Sequence, residues 1–181
     1  MKANVKAAEQ VGRRMHSLKK KGIFMAYMNF VPVTGTIINM TGGMDCCNQL
    51  MSLRVEDEVI NFMVGPETLV IDGRRLMPGM TVTAFYDSTL PVLLIYPPQY
   101  QAQIVAVHGR NEQVDLNFFD RNLLAADGSL QLNVVERTVI ETSNGQVFNC
   151  HPGNRTLLVY YSATTRSIPP QTTPGRIVVL C

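Results

Sequence analysis

Val64-x3-Thr68, Gly79, Phe85-Tyr86, Pro97-Pro98-Gln99 and Ile104-Val105 come back later in the same chain. The second set is Val134-x3-Thr138, Gly153, Val159-Tyr160, Pro169-Pro170-Gln171 and Ile177-Val178. The offset is 70 at the threonine, 74 at the glycine, 72 at the prolines and 73 at the last apolar pair. Small insertions and deletions therefore fall between the matched pieces, where loops absorb them. One supersecondary solution has to satisfy both copies, which constrains the architecture more than propensity does. The repeat divides the 181 residues into a module at 29–109 and a second at 110–181, behind an extension at 1–28. Each module is close to the size at which a lone core is marginal, so packing of one on the other is expected to add stability.

Alternation with a period of two runs through both modules. Ile60, Phe62 and Val64 alternate with polar neighbours, as do Leu130, Leu132 and Val134. Met51, Leu53 and Val55 form a further strand, joined to the Ile60 strand through Glu56-Asp57-Glu58. The matching turn in the second module is Asp127-Gly128, a strong hairpin signal. Val114, Leu116 and Phe118 are read as the counterpart of Val33, Gly35 and Ile37. Thr81–Tyr86 and Thr156–Tyr161 read as strands that each follow a matched glycine, and Ile104–Val107 and Ile177–Leu180 close the modules. Five or six short strands per module, with no long helix, predict an all-β protein of two tandem barrel-like modules, an OB-like barrel being one candidate. A pair of sandwich-like sheets is the alternative.

The net charge of +2 conceals an asymmetry. Residues 1–22 carry seven basic side chains against one acid, a local charge of +6, and include all five lysines. The remaining nine arginines face thirteen acids, a charge of −4. A body without lysine has no Schiff-base or P-loop lysine, and its charge is a poor match for a nucleic-acid backbone. Residues 3–21 have the spacing of a basic helix ended by Gly22, followed by the apolar run Ile23–Val31. That run is too short to span a bilayer. Three readings stay open for the extension: a dispensable segment from an early start codon at which Met25 or Met28 is the natural start, an amphipathic membrane- or partner-binding helix, or a secretory signal. Membrane contact is expected through residues 1–28 alone. Four scattered cysteines (Cys46, Cys47, Cys150, Cys181) do not make a disulfide framework and suit a cytoplasmic protein with reduced thiols.

The paired Pro-Pro-Gln segments force extended chain that cannot donate ladder hydrogen bonds, which places them at an edge or in a connection. The loops ahead of them differ. Leu90, Val92, Leu94 and Tyr96, interleaved with Leu93 and Ile95, form a run apolar on both faces. As a strand it would be buried on both, against the second module, a second subunit or another protein. In the second copy the loop is Ser162–Ile168, rich in hydroxyls, followed by Thr172-Thr173-Pro174. Thr165, Arg166 and Gln171, with Gln99 from the first copy, are the candidate ligand-binding residues, for a small anionic ligand or an oligosaccharide. The competing reading is a surface loop whose hydroxyls cap local backbone. Cys46-Cys47 with Cys150-His151 lacks the spacing of a zinc site, so neither a metal nor another cofactor is expected. No nucleophile elbow, His-Glu-x-x-His or glycine-rich phosphate loop occurs, and no catalytic residue is assigned.

Asn29-Phe30-Val31-Pro32-Val33-x-Gly35-x-Ile37, Cys47-Asn48-Gln49-Leu50-Met51, Leu94–Gln99 and Thr165–Pro174 resemble the sequences of a family of small β-rich proteins from clostridia and related Firmicutes. The resemblance covers about residues 28–181, with Pro170 standing where members often read Ile-Pro-Ala-Gln. It implies a start near Met28 and no particular activity, ligand or catalytic residue. The expected function is a non-enzymatic binding or assembly protein that self-associates. The alternative is a small-ligand binder using the Thr164–Thr173 loop, and an enzyme built on carboxylates or Cys150-His151 comes third.

Overall fold

Hydrophobic and β-branched residues on alternate positions give the chain its strands, and those of the described residues sort into three sheets. The computed structural model describes residues 27, 29–43 and 45–181, so the expected basic helix at 3–21 lies outside the described residues. The first half supplies β1 (Phe30–Gly42), β2 (Gln49–Val55), β3 (Glu58–Val64), β4 (Leu69–Val70), β5 (Thr81–Asp87), β6 (Gln99–Gln101) and β7 (Ile104–His108). They form a 7-stranded sheet in the order β4-β7-β5-β1-β2-β3-β6. The second half supplies β8 (Gln113–Phe119), β9 (Gln131–Leu132), β10 (Val139–Thr142), β11 (Arg155–Tyr161), β12 (Gln171–Thr172) and β13 (Arg176–Leu180). Here β10-β13-β11-β8 form a 4-stranded sheet, and β12 pairs with β9 separately. The helical content among the described residues is one 3-10 turn at Ile71–Gly73.

The all-β expectation holds, but among the described residues no sheet closes into a barrel, so the barrel-like, OB-like form is corrected. In the first sheet the outer strands β4 and β6 are two and three residues long and pair inward, to β7 and β3, rather than with each other. In the second half the four-stranded sheet and the β9–β12 pair remain separate. The apolar side chains still gather in compact groups. Ile37, Met51, Leu53, Phe62, Val82, Ala84 and Val105 make the core of the first half. Phe119, Leu130, Leu132, Leu157, Val159, Ile177 and Val179 make that of the second. A third cluster lies between the halves: Ile71, Phe85, Ile104 and Ala106 from one side, Leu158, Tyr160, Val178 and Leu180 from the other. Successive residues of a strand face opposite ways, so β5, β7, β11 and β13 each serve their own core and the shared one. Burying a side chain of this size contributes about 1.5–3 kcal/mol, so the shared cluster is a substantial source of stability.

Four of the six strand pairings of the first half have counterparts in the second, and β1–β2 and β2–β3 do not. β1–β5 and β5–β7 are antiparallel, and β3–β6 and β4–β7 are parallel. β8–β11 and β11–β13 are likewise antiparallel, with β9–β12 and β10–β13 parallel. The registers fit the sequence match, since Phe85 pairs with Ile104 and Val159 with Ile177. The faces revise it: Phe85 and Ile104 belong to the shared cluster, whereas Val159 and Ile177 belong to the second half's own core. By face, Phe85 corresponds to Tyr160. Both Phe85 and Tyr160 face the shared cluster, whereas a one-residue slip would turn every side chain to the other face. The glycine match shifts by one as well. Gly79 has φ +91, and the positive φ of the second half belongs to Asn154 (+58), not to Gly153. Asparagine is among the few residues that adopt this region readily.

Thr68 and Thr138 play the same part. Thr68 Oγ1 donates to Ala102 O at 2.8 Å and accepts from Gly65 N–H at 3.0 Å. Thr138 Oγ1 donates to Pro174 O at 2.9 Å and accepts from Val135 N–H at 3.3 Å. Each ties the start of the crossover strand to the end of the Pro-Pro-Gln segment. Across the halves, Arg176 forms ion pairs with Glu141 and with Asp72 of the other half, and its guanidinium lies 5.0 Å from the centre of the Tyr160 ring.

Candidate functional site

The hydroxyl-rich loop selected from the sequence uses its polar groups on itself. Thr165 Oγ1 accepts from Gln171 N–H at 2.9 Å and shares a 2.7 Å hydrogen bond with Ser167 Oγ, which donates to Pro169 O at 2.8 Å. Thr172 Oγ1 donates to Ala163 O, and Gln171 Oε1 accepts from Asn133 Nδ2 at 3.0 Å. Thr165, Arg166 and Gln171 thus share one loop, with Arg166 exposed and outside any ion pair among the described residues. Gln99 sits apart from them, in β6 beside β3, where it bridges to Leu93.

The apolar run Leu90–Tyr96 is neither a strand nor buried against the second half. Leu94 is 101% exposed and Tyr96 89%, and Leu90, Val92, Leu93 and Ile95 are exposed too. The cause is local. Pro91 and Pro97-Pro98 remove the amide donors a ladder needs, leaving the Leu93–Gln99 bridge as the loop's strand-like contact. The Tyr96–Pro97 and Ile168–Pro169 bonds are both cis, and the residue before each proline points into solvent.

Cys46, Cys47, Cys150 and Cys181 are free and exposed, and among the described residues no three His, Cys, Asp or Glu side chains gather as a metal site would require. His108 does engage a hydroxyl: its Nδ1 is 2.9 Å from Gly109 O, which leaves Nε2 to accept from Thr83 Oγ1 at 2.9 Å. Thr83 is in turn bonded to Thr34 at 2.7 Å. Thr83 has no exposed surface, so this chain laces β1, β5 and β7 together where no substrate can reach the hydroxyl.

A cavity of about 400 Å³ lies where the halves meet. Phe30, Pro32 and Phe85 line it from the first half, Asp115, Asp127 and Thr156 from the second. β8 is the outer strand of its sheet, and four consecutive residues of it, Asp115 to Phe118, line the cavity. Neighbouring side chains point to opposite faces, so the cavity must run along the strand's open edge. Two oxygens there lack a hydrogen-bond partner, Asp115 Oδ2 and the Oγ1 of Thr156, a residue 2% exposed. Burial, reinforced by the charge of Asp127, pushes the Asp115 carboxyl up to about 6 against a weak opposing hydrogen bond from Leu116 N–H. Burial also acts on Asp127, but hydrogen bonds from Ser129 and Asn117 prevail and hold it low. Sequence reasoning passes over Asp115 and Thr156. Asp115 alternates with Val114 and Leu116 and reads as a solvent-facing position, with no local sign that another segment covers it.

Comparison of the chain with protein-family models, with curated proteins and with solved structures finds no match in any of the three.

Proposed function

We propose that this protein is a non-catalytic assembly unit made of two copies of one β module, residues 29–109 and 110–181, that associates with a second copy of itself through the Leu90–Tyr96 loop. The observation that carries the reading is the exposure of six apolar side chains in one loop, Leu94 and Tyr96 almost entirely. Scattered exposed apolar residues are ordinary, but a contiguous set marks an interaction surface. Residues 88–107 contain no charged side chain, and all lysines lie before residue 22. A loop that docks on an anionic lipid surface draws on nearby cations, and here none flanks it, which favours a protein surface of the same apolar character. The net charge of −4 beyond residue 22 likewise argues against nucleic acid as the partner. The matched pairings and the Thr68 and Thr138 bridges support the two-copy reading.

Sedimentation velocity on the full chain, from about 1 to about 200 µM, tests this over the range of ordinary protein association. Association that strengthens with concentration is expected, and Leu94→Asp with Tyr96→Asp should weaken it at least about tenfold. Because both side chains are exposed, the unfolding free energy should move by no more than about 0.5 kcal/mol. A wild-type chain that stays monomeric throughout would refute self-association.

A further inference from the structure

We propose that the open edge of β8 takes up a strand from this chain's own extension, residues 23–26, which lie outside the described residues. The edge is unfinished. β8 has β11 on one side and no strand on the other among the described residues. Phe118 O accepts from Ala126 N–H at 2.8 Å, so its carbonyl points away from β11. By antiparallel alternation, the N–H and C=O of Val114 and Leu116 point the same way. Among the described residues no backbone group pairs with them there, and Leu116 N–H has the weak bond to the Asp115 carboxyl alone. A row of such groups beside an apolar cleft is a template for an added strand.

The occupant follows from where the chain enters. β2 joins β1 from Thr36 onward, so the first residues of β1 have β5 on one side and the cleft on the other. Pro32 lines the cleft there, and an edge tolerates the missing amide. Tyr27 lines the cleft as well, with its ring centre 5.3 Å from that of Phe30. Phe30 N–H donates to Tyr27 O at 3.2 Å, which closes a reverse turn. A chain that reverses there arrives from the cleft side of β1, so the residues ahead of Tyr27 are delivered to the edge of β8.

Their chemistry suits that edge. Ile23, Phe24, Met25 and Ala26 are uncharged and apolar, and Phe30, Pro32, Phe85, Leu116 and Phe118 give the cleft apolar walls. Four extended residues span about 13 Å, and four consecutive residues of β8, Asp115 to Phe118, line the cleft. Upstream, the charge of +6 on residues 1–22 is complementary to the −4 of the remainder.

The test is hydrogen exchange of the full chain read by NMR, at about 20 µM and about 400 µM to expose any association. Amides within residues 23–26, and those of Val114 and Leu116, should exchange at least about a hundredfold slower than open chain. Nuclear Overhauser contacts should join the two segments. Phe24→Pro with Met25→Pro removes two donors and should speed exchange at Val114 and Leu116 at least about tenfold, with the β13 amides unchanged. If that chain does not fold, the protection and the Overhauser contacts of the wild type decide alone. Exchange of residues 23–26 at the open-chain rate overturns the proposal, as does protection of Leu116 that the prolines leave intact. Protection of Val114 and Leu116 that rises with concentration assigns the edge to a second copy and overturns it too. The self-association reading is separable, because the same contacts are expected in the Leu94→Asp, Tyr96→Asp chain.

Discussion

The loop between β5 and β6 and the loop between β11 and β12 leave paired strands, end in the same Pro-Pro-Gln and hang on the same kind of bridge. Leu93 pairs with Gln99 in one, and Thr165 N–H donates to Gln171 O in the other. Their contents are opposite. Thr165, Ser167 and Thr172 close hydrogen bonds within the second loop, while Arg166 and Ile168 stay exposed. Leu90–Tyr96 cannot do this, because aliphatic side chains have nothing to donate and the loop is too short to fold over them. One backbone path therefore supports a loop that hydrogen-bonds within itself in one half and an exposed apolar one in the other. What the chain is for is better sought where the halves differ than where they agree.

The strongest challenge to that comparison is whether the halves behave as separate bodies at all. Leu158→Ala, in the cluster shared by both, should cost about 2–5 kcal/mol and lower a single cooperative thermal transition. Two transitions, with only one displaced, would show that the halves unfold independently and that the shared cluster contributes little. Next in size is the pH response of the second half. The folded-state value of Asp115, about 6, lies above its ordinary 3.8, so the folded chain holds this proton more tightly than the unfolded one. Its penalty is absent below pH about 4, grows through the interval to pH about 6, and is complete above it, at about 2–3 kcal/mol. Asp115→Asn should therefore stabilise the protein at pH 8 and change little at pH 4. Asp127 and Tyr161 are the titratable groups coupled to Asp115, and Asp127→Asn should lower the midpoint of the pH response. An unaltered pH profile in the Asp115→Asn chain would contradict the assignment. The smallest effect sharpens the likeness of the halves. Thr68→Val and Thr138→Val should each cost about 1–2 kcal/mol by chemical denaturation, and a large difference between them would mean that equal geometry conceals unequal roles.

Much of the fold is legible in the residues. Alternation locates β3, β5, β8 and β11, and the turns at Glu56-Asp57 and Asp127-Gly128 both form, with Glu56 at φ 52 and Gly128 at φ 72. Aligning the halves on their glycines puts β5 and β11 out by one, because it sets aside the better pairing of Phe85-Tyr86 with Tyr160-Tyr161. Backbone conformation, not residue identity, is what has to match, and Asn154 supplies it. Val114 and Leu116 are recognisable as an apolar face, but they pack toward the other half rather than into their own core. Periodicity identifies a face and is silent about what it meets. Reading the apolar Leu90–Tyr96 run as a buried strand weighs its hydrophobicity above Pro91 within it and Pro97-Pro98 after it, and the prolines win.

By itself, the sequence determined the strand content, the main turns, the doubled order of motifs and the absence of lysine beyond the extension. These are local quantities, set by side-chain period, backbone preference and composition. Tertiary structure decided the rest: that the sheets stay open, that β5 and β11 meet through Phe85, Leu158 and Tyr160, and that Asp115 and Thr156 come to line one cavity with Phe30 and Pro32. Residues so distant along the chain are joined by the packing of two halves, and that packing depends on the shapes of whole faces, which no local pattern encodes.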